Sequence, residues 1–412
     1  MKEYKAGEIS IIQSNWKTEG KGPSLLTEEA TKTAHRIHRE LPGYAATPLR
    51  RLDALAVLSG VRAFFVKDES KRFGLNAFKG LGGLYALTRV ICRELELDAD
   101  TVSFSDLKSP EYKDRLSRMI FVTATDGNHG KGISWAAGQL GCEAHVYMPT
   151  GSSELRAQAI RSVNPRAEVR IMETGYDDTV RFAAEMAEKY GWHLVQDTSW
   201  DGYEEIPSWI IQGYTTMAEE ACLQIEEQGL VPTHVFVQAG VGAMAGGVVG
   251  YLMNRYEGRR PAVGVVEPKS IACIYQSAKV GDGKPHEAVD QEATIMAGLN
   301  CGEPCTITWP ILRDFSDWYI KCPDYVSAYG MRLLAAPQGT DPQVISGESG
   351  AVTTGLVHLI AAGKSYSELK ALLGINENSV ILCFSTEGDT DPVHYKKIVY
   401  EGKNPMPQEQ VF

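Results

Sequence analysis

Short apolar, β-branched runs alternate with longer stretches of helical spacing over most of the chain. The runs Ala63–Val66, Met119–Ala124, His145–Met148, Val169–Met172, His193–Val195, His234–Gln238, Val263–Val266 and Val380–Phe384 predict strands. Several are apolar almost throughout, as strands covered on both faces should be. Between them, Gly80–Leu95, Gly130–Leu140, Glu154–Ser162, Asp177–Tyr190, Gly213–Gln228, Gly246–Tyr256 and Glu348–Ala362 predict helices. Ser152-Ser153-Glu154 is a helix start, Asp177 and Asp178 suit a first turn, and Asn164-Pro165 is a stop. Strand and helix alternating in this way imply α/β domains with mostly parallel sheets. The first 45 or so residues, and the stretch from about Gly281 to Pro310, are the least regular.

Composition narrows the functional classes. With 412 residues and 43% hydrophobic content, the chain is long enough for two or three domains with their own cores. The 52 acidic against 41 basic residues give a net charge of −11, and no basic run occurs. A nucleic-acid partner is therefore not expected. The charged start, with Lys2, Glu3, Lys5 and Glu8, does not suit a secretory leader. No stretch approaches the ~18 apolar residues of a membrane span. The eight cysteines show no C-x-x-C pair, so buried thiols in a reducing cytoplasm are expected, with room for one disulfide among Cys273, Cys301, Cys305 and Cys322. No histidines pair with them at ligand spacing, and no metal is expected.

Candidate chemistry falls in turns that follow strands, where open parallel sheets bind ligands. Gly240-Val241-Gly242-Ala243-Met244 follows the strand His234–Gln238 and leads into a helix. Glycines there let backbone N–H groups approach an anion such as phosphate. The turn equally suits a dinucleotide, since Glu267 follows about 25 residues on, or tight packing without a ligand. Thr125-Asp126-Gly127-Asn128-His129-Gly130 follows Met119–Ala124. His129 there is a base, a ligand, or more simply a residue that packs the turn, while Asp126 is a functional carboxylate or a helix cap. Lys79 lies among Ala77, Phe78, Gly80, Leu81 and Gly82. Such a setting favours a reactive amine, although a lysine reaching to solvent from a helix start explains it more simply. Asp197, in Gln196-Asp197-Thr198, and Ser385-Thr386-Glu387-Gly388-Asp389, after the last apolar strand, complete the set.

Taken in order, the lysine after Asn76-Ala77-Phe78, the Gly127-Asn128-His129-Gly130 turn about 50 residues on, and the later glycine turn resemble the fold type II enzymes that use pyridoxal 5′-phosphate. Val266-Glu267-Pro268 and a last strand ending in serine fit the same pattern, which removes most of the weight from Glu267 as a ribose ligand. Thr125-Asp126 before the turn, Gln196-Asp197-Thr198-Ser199-Trp200, Gln212-Gly213-Tyr214 and Ser385–Pro392 resemble, within that family, the ammonia-lyases of 2,3-diaminopropionate.

The resemblance implies two open, mostly parallel α/β domains with the active site in the cleft between them. It implies a large cofactor-binding domain of residues 1–89 and 208–412 and a small inserted domain of 90–207. Lys79 would hold the cofactor covalently and then act as a base. Gly240, Val241, Gly242, Ala243 and Met244 would bind phosphate, Asn128 the ring hydroxyl oxygen, and Ser385, or else Thr386, the pyridine nitrogen. Thr125, Asp126, Gly127, Asn128 and His129 would bind the substrate carboxylate, with Asp126 and Asp197 receiving the second amine. Asp126 opposite Lys79 would let both D- and L-substrates lose a Cα proton. The expected enzyme is a homodimeric carbon–nitrogen lyase of amino-acid breakdown that releases pyruvate and two ammonia, and it binds a small amino acid and neither membrane nor nucleic acid. A serine/threonine dehydratase is the alternative inside the family, and a nicotinamide-dependent dehydrogenase outside it.

Overall fold

The structure is a computed structural model that describes residues 1–412 apart from Asp126, Gln291, residues 408–412 and the side chain of Asp177. Among the described residues the strands are β1 (Lys2–Ala6), β2 (Ile9–Gln13), β3 (Leu49–Arg51), β4 (Ala63–Asp68), β5 (Ile120–Ala124), β6 (Glu143–Met148), β7 (Ala167–Ile171), β8 (His193–Leu194), β9 (His234–Gln238), β10 (Ala262–Pro268), β11 (Trp318–Cys322) and β12 (Val380–Ser385). They form two sheets in two compact units: Met1–Thr27, Ala46–Lys71 and Met217–Phe412 make the first, Glu28–Ala45 and Arg72–Thr216 the second.

In the first unit the strand order is β1-β2-β11-β10-β9-β12-β4-β3. The inner strands β11, β10, β9, β12 and β4 run parallel, while β1, β2 and β3 add antiparallel edges. The near-continuous apolar runs predicted this: β4, β9 and β12 are buried along their whole length because helices cover both faces. Phe64, Val66, Phe236, Ile320, Val352 and Leu356 belong to one core. Register puts Ser385 opposite Asp68 and Gln238 opposite Val266, so the carboxyl ends of β12, β4, β9 and β10 lie together.

The second unit has four parallel strands in the order β7-β6-β5-β8. One core cluster joins Val122, Ala124 and Tyr147 to Ala183 and Ala187 of the helix Tyr176–Tyr190. A second joins Val146 and Met148 to Ala157 and Ile160 of Glu154–Arg161. This is the expected α/β architecture.

Several boundaries differ from expectation for identifiable reasons. The first 45 residues are not irregular: β1 and β2 form a hairpin about Gly7 (φ 55°), and Glu28–Arg39 is a helix. Its edge position explains the miss, since β1 keeps its charged residues exposed and lacks the apolar run of an inner strand. The helix Glu205–Glu226 starts eight residues before the expected Gly213, with Pro207 tolerated in its first turn. Expected domain boundaries at 89/90 and 207/208 both fall inside helices, Gly80–Leu95 and Glu205–Glu226. Lys79 and the helix after it pack in the second unit, because glycines remove the side chains that would hold neighbours away. A Cβ on Gly132 would lie 2.9 Å from the Lys79 carbonyl carbon, and one on Gly82 would lie 2.6 Å from the Tyr214 ring.

Candidate functional site

Within the second unit, Lys79 caps the helix Gly80–Leu95 and is reached through Asn76, which has a left-handed backbone (φ 62°). Its Nζ lies 5.2 Å from the centre of the Phe78 ring and 5.7 Å from that of Tyr214, and it hydrogen-bonds to Oδ2 of Asp197. The apolar setting read from the sequence is thus present, but a carboxylate 118 positions away joins it.

The turn after β5 is built by backbone geometry. Thr125 Oγ1 accepts hydrogen bonds from the N–H groups of Gly127 (2.9 Å) and Gly130 (3.0 Å). Gly127, at φ 156° and ψ −75°, takes a conformation open to glycine and is the N-cap of the helix Asn128–Gln139, so the Thr125 hydroxyl rather than an N-cap side chain receives an N–H of its first turn. A Cβ on Gly130 would meet Thr125 at 2.4 Å. Asn128 is half-buried and His129 is buried. The His129 Nε2 lies 2.9 Å from the Val195 carbonyl oxygen, and Nδ1 lies 3.6 Å from Asp197 Oδ2. Asp126 lies outside the described residues.

Asp197 is held from behind. Gln196, fully buried, accepts from the Thr123 hydroxyl (3.0 Å) and the Ala124 N–H (3.1 Å), and donates to the Tyr176 hydroxyl (3.0 Å). The Tyr203 hydroxyl donates to Leu194 O and accepts from Gln196 N. Burial by itself raises the Asp197 carboxyl pKa. The His129 ring and the Lys79 ammonium, with the Lys79 hydrogen bond, outweigh it and hold the group at about 2. At neutral pH the lysine is the charge that matters, since burial lowers the His129 pKa below its ordinary 6.5 and leaves the ring neutral. Lys79, Thr125, Gly127, Asn128, His129 and Asp197 therefore belong to one unit, in which Asp197 meets both Lys79 and His129.

In the first unit, the glycine turn follows β9 as expected, but its helix begins at Ala243, three residues before the expected Gly246. The glycines disguised its first turn. Gly242 (φ 93°) is the N-cap and has no side chain to cap that helix. A Cβ on Gly240 would lie 3.1 Å from Leu299 Cα, and one on Gly242 3.0 Å from Leu312 Cδ1. Gly240, Val241, Gly242, Ala243 and Met244 thus present backbone at a helix start, a geometry that favours anions.

At the end of β12, Ser385 and Ser346 share a 2.8 Å hydrogen bond, and both are fully buried. Thr386 accepts from Gln238 Nε2 (3.0 Å), which also donates to Phe384 O (2.9 Å). The Gln238 Oε1 atom is buried without a hydrogen-bond partner among the described residues. Sequence reasoning passed over Gln238, although a polar residue closing an apolar strand just before a glycine turn was the available signal.

Glu267 is committed elsewhere. Its carboxylate accepts the N–H groups of Ile274 (2.8 Å) and Tyr275 (2.6 Å) at the start of the helix Cys273–Val280. It is a helix cap, which removes the acid a dinucleotide site would need. All eight cysteines are free thiols, with Cys273 Sγ 3.5 Å from Gly240 O. Glu143, His145 and Glu168 lie close enough to share an ion, but Arg166 already stands 3.2 Å from Glu143 and His145 2.7 Å from it. No helix among the described residues is long and apolar enough to cross a membrane.

The family model described as "pyridoxal-phosphate dependent enzyme" matches residues 40–371. The diaminopropionate ammonia-lyase of Escherichia coli (strain K12) is 48% identical over 385 residues, which cover 93% of this chain and 95% of the relative. The crystal structure of the Escherichia coli lyase in complex with D-serine superposes with a TM-score of 0.90 at 46% identity, covering 97% of this chain and 98% of that one. A threonine deaminase from Solanum lycopersicum has a TM-score of 0.72 at 19% identity, covering 97% of this chain and 99% of that one, a likeness of fold alone.

Proposed function

The chain belongs to the pyridoxal-phosphate dependent enzymes and, within them, to the diaminopropionate ammonia-lyase family, and from that premise we infer that it converts 2,3-diaminopropionate and water to pyruvate and two ammonia. The observation that carries this reading is the contact of Lys79 with Asp197. It sets an amine able to bond a carbonyl cofactor beside a carboxylate able to receive a second ammonium.

The residues fit the cofactor in kind. An amine stands in aromatic surroundings, glycines at 240 and 242 leave no room for a Cβ without displacing Leu299 and Leu312, and buried hydroxyls close the last strand. Pyridoxal phosphate, when bound, supplies an electron sink that acidifies the Cα–H bond. Lys79 would hold it and then take the Cα proton. Backbone N–H groups of residues 240–244 would bind its phosphate, Asn128 its ring oxygen, and Ser385, with Thr386 as second choice, its ring nitrogen. A hydroxyl there does not force that nitrogen to be charged, which suits elimination. N–H groups of the turn 125–129 would hold the substrate carboxylate. Asp197 would keep the departing amine protonated, because a neutral amine leaves poorly. Asp126 would serve as the second base, extending the reaction to the D-enantiomer. We assign phosphate binding to the unit with the eight-stranded sheet. We also infer a homodimer, in keeping with the commonest symmetry of soluble enzymes, working in the cytoplasm, a compartment that suits eight free thiols.

The deciding test is a substrate panel on the cofactor-loaded protein. Two ammonia per pyruvate from 2,3-diaminopropionate supports the lyase. Pyruvate from serine alone would make the chain a dehydratase. Lys79→Ala should abolish the visible band of the bound cofactor and lower turnover by about a thousandfold or more. Asp126→Asn should cut D-substrate turnover while sparing the L-form, and unchanged D-turnover would sink the two-base reading.

A further inference from the structure

His129 is 4% exposed, and its two ring nitrogens have different surroundings. Nε2 lies 2.9 Å from the Val195 carbonyl oxygen, which can only accept, so Nε2 carries the proton. In the neutral ring Nδ1 is then a lone-pair acceptor. It is buried, has no hydrogen-bond partner among the described residues, and stands 3.6 Å from Asp197 Oδ2. Two acceptors side by side in a buried site repel each other unless one donor serves both. A primary ammonium, with three N–H donors, is such a donor, and the Asp197 oxygen already takes one in Lys79.

We propose that Asp197 Oδ2 and His129 Nδ1 together form the receptor for the side-chain ammonium of a 2,3-diamino acid, with His129 as the residue that sets the preference for ammonium over hydroxyl. This rests on the reading that 2,3-diaminopropionate is the substrate. A hydroxyl has one proton and satisfies only one of the two acceptors, whereas an ammonium satisfies both. Sites that leave a buried polar group unpaired discriminate strongly. The same tautomer bars the imidazole from binding the substrate carboxylate, because Nδ1 has no proton and the Nε2 proton is given to the Val195 carbonyl. That role passes to the backbone N–H groups of the turn.

β-Alanine tests this directly, since it carries the carboxylate and the β-ammonium but has no α-amine to react with the cofactor. 3-Hydroxypropionate is the matching hydroxyl probe. Calorimetric titration of the cofactor-loaded wild type should show β-alanine bound about tenfold more tightly, the worth of one hydrogen bond to a charged group. His129→Gln keeps a donor within reach of Val195 O but removes the Nδ1 acceptor, and should erase this preference while leaving 3-hydroxypropionate binding unchanged. His129→Asn retains an acceptor near the Nδ1 position and should keep the preference, and it decides the matter if the glutamine variant fails to fold. The proposal is overturned if the wild type shows no preference, if the glutamine variant keeps it, or if the asparagine variant loses it. Failure of the parent reading looks different: the wild type would then release no pyruvate from 2,3-diaminopropionate.

Discussion

Glu267 in the first unit is a buried carboxyl group at the end of the parallel strand β10, and Asp197 in the second is a partly buried one just beyond the parallel strand β8. Their protonation is opposite. Burial pushes Glu267 up to about 8, and the N–H groups of Ile274 and Tyr275 only partly oppose it. Asp197 meets the same penalty, yet its neighbours His129 and Lys79 hold it at about 2. Neutral N–H dipoles do not offset the cost of burying a charge, whereas a full positive charge in contact does. The first carboxylate thus anchors a helix. The second stays ionised beside an amine that chemistry can use.

The sharpest way to break this comparison is to neutralise each acid. Asp197→Asn should lower kcat/KM for 2,3-diaminopropionate by about a hundredfold. Glu267→Gln should leave turnover by the folded enzyme nearly unchanged and instead cost about 1 to 3 kcal/mol of stability, because its amide N–H₂ would face a backbone N–H. Equal losses of turnover in the two variants would end the distinction. A smaller effect is expected where recognition relies on backbone. Gly242→Ala forces a residue with a Cβ to φ 93°, at about 1 to 2 kcal/mol. Cofactor affinity, measured by equilibrium dialysis, should fall roughly tenfold. Unchanged affinity would remove the turn from the phosphate site.

The smallest effect is in stability against pH. Glu267 has a folded pKa of about 8 against 4.5 for the free group, so the folded state binds the extra proton between those values. Its contribution is fully present below pH 4.5 and is lost as pH rises through 8. Denaturant titrations should therefore show stability declining from pH 5 to 8, with a flatter profile in Glu267→Gln. Asp197 has the opposite sign: its contribution is present above 3.8 and disappears as pH falls toward 2. A wild-type profile that rises over pH 5 to 8, and does so equally in the glutamine variant, would contradict the assignment of Glu267.

Much of the scaffold was legible because burial on both faces writes long apolar runs into β4, β9 and β12. The glycine turns were legible for a related reason, since backbone that must approach a ligand or take a left-handed conformation tolerates few other residues. The hairpin β1–β2 was not, because an exposed edge strand carries no apolar run, and the start of the helix at Ala243 was hidden by the glycines that precede it.

By itself the sequence determined which residue types stand at helix starts and strand ends: an amine at 79, glycines at 127 and 242, carboxyl groups at 197 and 267, hydroxyls at 385 and 386. Only the tertiary structure decided what each one meets. Lys79 and Asp197 are 118 positions apart, and no local pattern records that they touch or that Glu267 instead receives two backbone N–H groups. The physical reason is that the chemistry of a buried charge depends on its partner, and partners are supplied by the packing of distant segments.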